Sequence, residues 1–243
     1  MRKPLSFSVV ALIAFFVVIG AILLSSFFGS SNQSPDLPSI PGTQTQSTNT
    51  IDYSRVEINT RNVQSIISAM NRPAEYYTET KSETFFDNTS SVNLRRRWVR
   101  DGLSRVDILN STGTLTMSSI YTNNTVYYWV PGSSRVLKMP RGNFTAENEQ
   151  MMMDYDTLLK LAPESITDAK LSRISGEQCI YVEAKNGLGY TEKYWISSQN
   201  GLLILGQTLK EDTIIYSVQL VDLNLTRPDD IEFTLPDKTK ITQ

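Results

Sequence analysis

The longest apolar run of the sequence lies near its beginning. Residues 5–28 are almost wholly apolar, interrupted only by serine and glycine. At about 1.5 Å per residue this run forms a helix of about 36 Å, long enough for the ~30 Å hydrocarbon core of a bilayer. Arg2 and Lys3 precede the run and no basic residue closely follows it. We therefore expect a transmembrane anchor, with residues 1–4 as a cytoplasmic stub and the rest of the chain extracytoplasmic.

A cleaved signal peptide is the alternative interpretation of this run. Signal peptides carry a shorter apolar stretch that ends at a site of small residues, whereas Phe27 and Phe28 stand at the end of this one. No cysteine follows closely, which excludes lipoprotein processing. The pattern favours an uncleaved anchor and leaves cleavage open.

The next segment, residues 29–51, is predicted to be a disordered linker. It is rich in serine, threonine, proline, asparagine and glutamine, and such a composition cannot bury enough apolar surface to fold. A flexible chain of about 22 residues reaches about 25 Å. The following domain would therefore stay close to the membrane.

Residues 52–243 show the alternating pattern of a mainly β domain. Apolar residues at helical spacing predict one helix at 54–71, ended by Arg72-Pro73, and a second at 145–161 with Thr145 as its N-cap. Strand-like segments separated by turn residues recur about every ten positions. These segments are 75–86, 92–100, 103–109, 114–121, 125–130, 135–139, 169–174, 178–184, 190–196, 202–210 and 213–225. The predicted fold is α+β, mainly β: a curved antiparallel sheet of about ten strands around two or more helices.

Composition and charge restrict the function classes. The net charge is −2, which gives no basis for a nucleic-acid partner. The chain has no histidine and one cysteine, Cys179, which excludes histidine-based triads and zinc sites. No phosphate-binding loop, nucleophile elbow or dinucleotide fingerprint is present. We expect no enzyme activity and no cofactor or metal.

Several segments resemble the LolA/LolB-like superfamily. Residues 193–196 (KYWI), 200–202 (NGL), the strand at 213–225 and residues 233–236 (FTLP) are similar to the family's closing hairpin, long strand and final F-x-x-P. Residues 97–106 are similar to its early W-x-x-x-G-x-x-R. The resemblance covers about residues 52–237, and its motifs are mostly hairpin chemistry.

The resemblance implies a half-open β-barrel with helices in its mouth. Its members include lipoprotein carriers and the periplasmic sensor of an envelope-stress anti-sigma factor. The sequence departs from the pattern at Ser197, where the family often has Asp, and at Leu203, where it often has Pro.

Aromatic side chains on the strands are the candidate ligand-binding residues. They could line an apolar cavity for an acyl chain or form an ordinary core between sheet and helices, and the residues alone leave both interpretations open. The predicted cavity residues are Trp98, Tyr128, Trp129, Met151, Tyr155 and Trp195. Alternation places Arg96 on the face of Trp98, opposite Arg95 and Arg97, either at the cavity mouth or on a solvated outer face.

The expected function is that of a membrane-tethered, non-enzymatic binding protein at the cell membrane. In the first hypothesis it holds an acyl chain, lipid or lipoprotein in an apolar cavity. The alternative is an envelope sensor or regulator that binds a membrane protein partner without a lipid ligand. The expected partners are thus the cytoplasmic membrane with a lipid, a lipidated protein or a membrane protein, and no nucleic acid. An uncleaved anchor favours local binding, and a cleaved one favours a shuttle.

Overall fold

The described fold is a single open β-sheet with short helices. The computed structural model describes residues 56–87, 89–142 and 153–242. Within these ranges eleven strands form one curved antiparallel sheet, which confirms the predicted mainly β class. The predicted stub, transmembrane run and linker lie outside the described residues. Among the described residues, no helix is long and apolar enough to cross a membrane.

The strands follow the predicted hairpins closely. They are β1 (Tyr76–Phe86), β2 (Thr89–Arg100), β3 (Leu103–Leu109), β4 (Leu115–Tyr121), β5 (Thr125–Trp129), β6 (Leu137–Pro140), β7 (Ile166–Ile174), β8 (Glu177–Lys185), β9 (Tyr190–Ser197), β10 (Leu203–Lys210) and β11 (Thr213–Asn224). The described helices are α1 (Val63–Ala69) and α2 (Tyr155–Leu159), with 3₁₀ turns at Pro163–Ser165 and Asp230–Phe233.

The sheet consists of two meanders, β1–β6 and β7–β11, which are joined through the first strand, β1, and the last strand, β11. The strand order runs β6-β5-β4-β3-β2-β1-β11-β10-β9-β8-β7. Each hairpin pairs neighbours in sequence, whereas the central pair unites β1 with β11. The predicted turn at Asp101-Gly102 closes β2 onto β3 with positive φ at both residues (49° and 72°), as a tight hairpin turn requires.

The first helix is shorter than predicted. The sequence pattern predicts a helix over residues 54–71, but α1 begins at Val63. Asn62 Nδ2 donates to the carbonyl of Glu57 (2.8 Å), and Asn59 Oδ1 accepts from the backbone of Arg61 (3.0 Å). Because these side chains satisfy backbone groups locally, residues 57–59 are irregular and residues 60–62 form a turn instead of helix.

The second helix is also misplaced by the sequence pattern. The predicted helix over 145–161 begins with residues outside the described part, and the described helix α2 starts only at Tyr155. Asp154 is extended, and its Oδ1 accepts the backbone N–H of Thr157 (2.9 Å). This capping box starts a new helix, so a helix running continuously through residues 153 and 154 is wrong.

The two faces of the sheet are covered by different elements. On the helix face, α1 and α2 pack through Val63, Ile67 and Leu158 onto strand residues such as Ile180 and Tyr194, all of them buried. On the outer face, residues 226–242, the C-terminal segment, return over β2–β5. They cover that face with Phe233, Leu235 and Ile241, which pack with Leu103, Ile120 and Trp129. A concave space is therefore available on each face.

Candidate functional site

The arginine-rich strand β2 reaches both faces as its alternation predicts. Arg96 and Trp98 line a groove on the outer face, whereas Arg95 and Arg97 line a pocket on the helix face. We call the first space the outer groove and the second the inner pocket. The prediction that Arg96 and Trp98 share a face is confirmed.

The inner pocket is small. Its volume is about 80 Å³, well below the roughly 300–1,000 Å³ typical of ligand pockets. Arg72 stacks 3.8 Å above the Tyr155 ring, and burial, with a smaller contribution from the nearby Asp156 charge, raises the pKa of Tyr155. The lining residues are Tyr76, Thr78, Thr80, Arg95, Arg97, Met153, Asp154, Tyr155, Leu202, Leu203, Val218 and Leu220.

The outer groove is larger and more polar. It has a volume of about 350 Å³ and lies between the sheet and the C-terminal segment. Its lining residues are Tyr77, Arg96, Trp98, Asn224, Thr226, Arg227, Pro228, Asp229 and Glu232. Strands β1, β2 and β11 thus supply one wall and the C-terminal segment the other.

An aromatic pair forms the sheet side of the groove. The rings of Tyr77 and Trp98 are tilted against each other with centroids 5.1 Å apart. The Tyr77 hydroxyl donates to Glu79 Oε2 (3.1 Å), and Arg96 Nε donates to the same oxygen (2.8 Å). Burial, with the adjacent Glu79 charge, raises the pKa of Tyr77 to about 12. The phenol therefore stays neutral at physiological pH and offers an aromatic surface.

Arg105 connects this surface to the C-terminal segment. Its guanidinium binds both carboxylate oxygens of Asp107 (3.0 and 2.9 Å) and donates to the carbonyl of Glu232 (3.0 Å). It also lies 5.2 Å from the Trp98 ring centroid. Burial raises the pKa of Glu232 although Arg105 opposes the shift. These bonds hold the far wall at a fixed distance from the aromatic pair.

An exposed charge cluster adjoins the groove through its lining residue Arg227. Arg227 pairs with Glu75 and with Asp101 (2.7 Å to Oδ2). Next to it, Arg100 Nη1 donates to the carbonyl of Pro228 (2.8 Å), and its guanidinium lies over the Phe233 ring. The cluster ties the start of the C-terminal segment to the β2–β3 turn.

The other predicted site residues lie apart from this groove. Trp129 packs on the outer face below the C-terminal segment, and Tyr128 points to the helix face with Val106 and Tyr121. Trp195 stacks on Tyr181 in a separate cluster. Tyr155 lines the inner pocket, and Met151 lies outside the described residues. The described members of the predicted set therefore do not share one cavity, and their role in ligand binding stays a prediction.

Sequence reasoning missed Tyr77 and the C-terminal wall. The β1–β2 register pairs Phe86 with Thr89 and sets Tyr77 opposite Trp98, so this pair could have been found by counting back along the two strands. Arg227 and Glu232 had no such signal, because their position depends on the fold of the C-terminal segment over a distant strand.

Among the described residues, no group of three or more His, Cys, Asp or Glu side chains could hold a metal ion.

Comparisons with known proteins give distant structural likenesses only. No protein-family model matches the sequence, and no curated protein matches it. An uncharacterized conserved protein from Thermus thermophilus is 11% identical, with a TM-score of 0.47, covering 70% of this chain and 91% of that one. The Pseudomonas aeruginosa MucA/MucB complex structure is 14% identical, with a TM-score of 0.45, covering 76% and 64%. A LolA superfamily protein from Nitrosomonas europaea is 9% identical, with a TM-score of 0.34, covering 72% and 97%. The superfamily that the sequence resembles is thus represented among the solved structures to which this chain is similar.

Proposed function

We propose that this chain is a membrane-tethered, non-enzymatic binding protein that takes a segment of a protein partner into the outer groove on the outer side of the cytoplasmic membrane. The observation that carries the proposal is the difference in size between the two spaces. The outer groove offers about 350 Å³, whereas the inner pocket offers about 80 Å³. Only the first has the volume of an ordinary binding site.

The chemistry of the groove suits a polypeptide. Trp, Tyr and Arg are the residue types that carry most of the binding energy at protein interfaces, and Trp98, Tyr77 and Arg96 lie side by side here. Asn224 and Asp229 add hydrogen-bonding groups at the rim. A partner segment would place an apolar side chain on the aromatic pair and polar groups against the rim.

The tether would restrict the choice of partner. With residues 5–28 in the bilayer and a linker of about 25 Å reach, the domain meets proteins of the same membrane at high local concentration. This favours local sensing or regulation over a shuttle between membranes. A membrane protein with an extracytoplasmic segment is the expected partner.

A second candidate is an acyl chain or lipid in the inner pocket. It is favoured by the apolar wall that Met153, Leu202, Leu203, Val218 and Leu220 present there. The pocket would have to widen several-fold to hold such a chain. A photoreactive fatty acid added to membranes that contain the full chain tests this candidate. Adducts on the inner-pocket strands support it, and adducts confined to residues 5–28 count against it.

The matched tryptophans Trp98 and Trp195 provide the main test. Each is half-buried on the outer face, and each stacks on a tyrosine, Trp98 on Tyr77 (5.1 Å) and Trp195 on Tyr181 (4.9 Å). Only Trp98 lines the groove. Photocrosslinking from Thr226, a groove residue, should trap a membrane protein in intact cells. Trp98→Ala should abolish the product, and Trp195→Ala should retain it.

Two results would contradict the proposal. The first is the same crosslink from the exposed Thr167 of the distant strand β7. The second is an equal loss of product in both tryptophan variants, which would indicate damage to the fold and not to the groove.

A further inference from the structure

Three neighbouring hairpins end together at one end of the sheet. They are β1–β2, β10–β11 and β8–β9, and the strand order places them side by side. Their last pairs are Phe86 with Thr89, Lys210 with Thr213, and Lys185 with Thr191. Since adjacent strands are about 4.8 Å apart, successive hairpin ends lie about 10 Å from each other.

Each of these hairpin ends exposes an apolar side chain. Phe86 is 60% exposed, Leu188 is 83% exposed and Ile214 is 37% exposed, with Phe85 beside them. The loop that carries Leu188 is well ordered by hydrogen bonds, because Asn186 Oδ1 accepts the backbone N–H groups of both Leu188 and Tyr190 (3.0 and 3.1 Å). We call these three residues, Phe86, Leu188 and Ile214, the hairpin tips. These side chains share one end of the sheet, which makes that end a candidate interaction surface.

The chain enters the described fold at the same end. Gln64, in the first turn of α1, donates to the carbonyls of Leu158 and Leu161 (3.1 and 2.9 Å), just before the start of β7. The far end of α1 is at the opposite end of the sheet, where Arg72 Nε donates to the carbonyl of Gly201 in the β9–β10 turn (3.1 Å). Helix α1 therefore begins on the side nearer the hairpin tips and ends near the β9–β10 turn.

We propose that the hairpin tips insert into the outer interface of the bilayer that anchors the chain, an inference that rests on the proposed membrane tether. A linker of about 25 Å reach that starts at this end brings the tips within reach of the lipid surface. Side chains at an interface are buried about 5–10 Å deep, which hairpin ends of this kind can reach. The outer groove would then lie about 30 Å from the tips, because Tyr77 and Phe86 stand at opposite ends of β1, and it would meet a partner segment that extends that far from the lipid surface.

The charges near the tips favour burial over electrostatic attraction. The three hairpin ends together carry Lys185 and Lys210 against Asp87, Glu211 and Asp212. With no basic excess, docking should not need anionic lipid and should change little with salt. Vesicles of phosphatidylcholine are therefore a sufficient probe.

A site-specific fluorophore can measure the docking on the full chain. Leu188→Cys accepts the label, because the native Cys179 is fully buried and burial raises its pKa to about 12. Ile231→Cys is the matched control. Ile231 is also an exposed apolar residue (68%), but it lies at the opposite end of the sheet, next to the Arg100–Asp230 ion pair.

The full chain is reconstituted into phosphatidylcholine vesicles whose acyl chains carry bromine, a contact quencher. We expect strong quenching of the label at position 188 and none at position 231. Adding Phe86→Asp should lower the ratio of docked to undocked protein by at least about tenfold, since a buried phenylalanine contributes more than one factor of ten. Phe86 is exposed, so this change leaves the fold intact.

The possible failures are distinguishable. Protein that alkaline carbonate washes from the vesicles refutes the tether and the docking together. Protein that is retained but carries an unquenched label at position 188 refutes the docking alone. Quenching that appears equally at both positions also overturns the proposal, because it shows no preferred face towards the membrane.

Discussion

Phe233 should hold the wall of the outer groove in place. Its side chain is 1% exposed and packs with Leu103, Ile120 and Trp129, and the Arg100 guanidinium lies 4.9 Å from its ring centroid. Truncating a buried phenylalanine to alanine costs about 3–5 kcal/mol. Loss of the cation–ring contact adds about 0.5–1 kcal/mol. Phe233→Ala should therefore lower the free energy of unfolding by about 3.5–6 kcal/mol.

Urea unfolding of the full chain in a mild detergent, followed by tryptophan fluorescence, measures this loss. Ile231→Ala is the matched control from the same segment, because Ile231 is 68% exposed and should change the free energy of unfolding by less than about 0.5 kcal/mol. Phe233→Ala should also weaken crosslinking from Thr226, since the C-terminal wall is released. A loss below about 1 kcal/mol for Phe233→Ala would refute the idea that this ring anchors the segment.

Two further changes test local features. The pKa of Tyr77 is raised from 10.0 to about 12, so the folded state holds the proton more tightly, and stability should fall as the pH rises between those values. Tyr77→Phe should reduce that fall, as urea unfolding at about pH 9 and about pH 11 can show. Gly201→Ala should cost more than about 1 kcal/mol, because φ is +69° and a Cβ would lie 3.0 Å from Arg72 Cγ. Gly187→Ala, with nothing within 4 Å of its added Cβ, is the control and should unfold nearly as wild type does.

The hairpins could be predicted because their signals are local. Asp101-Gly102 adopts the positive φ values that its turn chemistry demands, and the alternation of β2 places Arg96 and Trp98 on one face as expected. The helices were less predictable. Asn59 and Asp154 use their side chains to bond nearby backbone, and apolar periodicity does not report that competition.

The candidate site depends on long-range contacts and was harder to predict. Alternation within a strand separates Tyr128 from Trp129, but it does not tell which face the helices cover. The outer groove needs the pairing of β1 with β11 and the return of the C-terminal segment, which places Glu232 beside Arg105. No local pattern specifies either arrangement, so a single aromatic cavity was expected where the fold forms two separate spaces.

The pairing of β1 with β11 has a consequence for the order of folding. The ladder at the centre of the sheet joins its first strand to its last, so it cannot form until the chain up to Asn224 has been made. The hairpins close locally and fast, whereas β1 must wait with one unpaired edge that could bind a wrong strand. During synthesis from the N-terminus, this edge of β1 stays unpaired until β11 has been made. A chain that stops before Thr213 therefore lacks the partner of its central strand, and it loses the middle of the sheet instead of a rim.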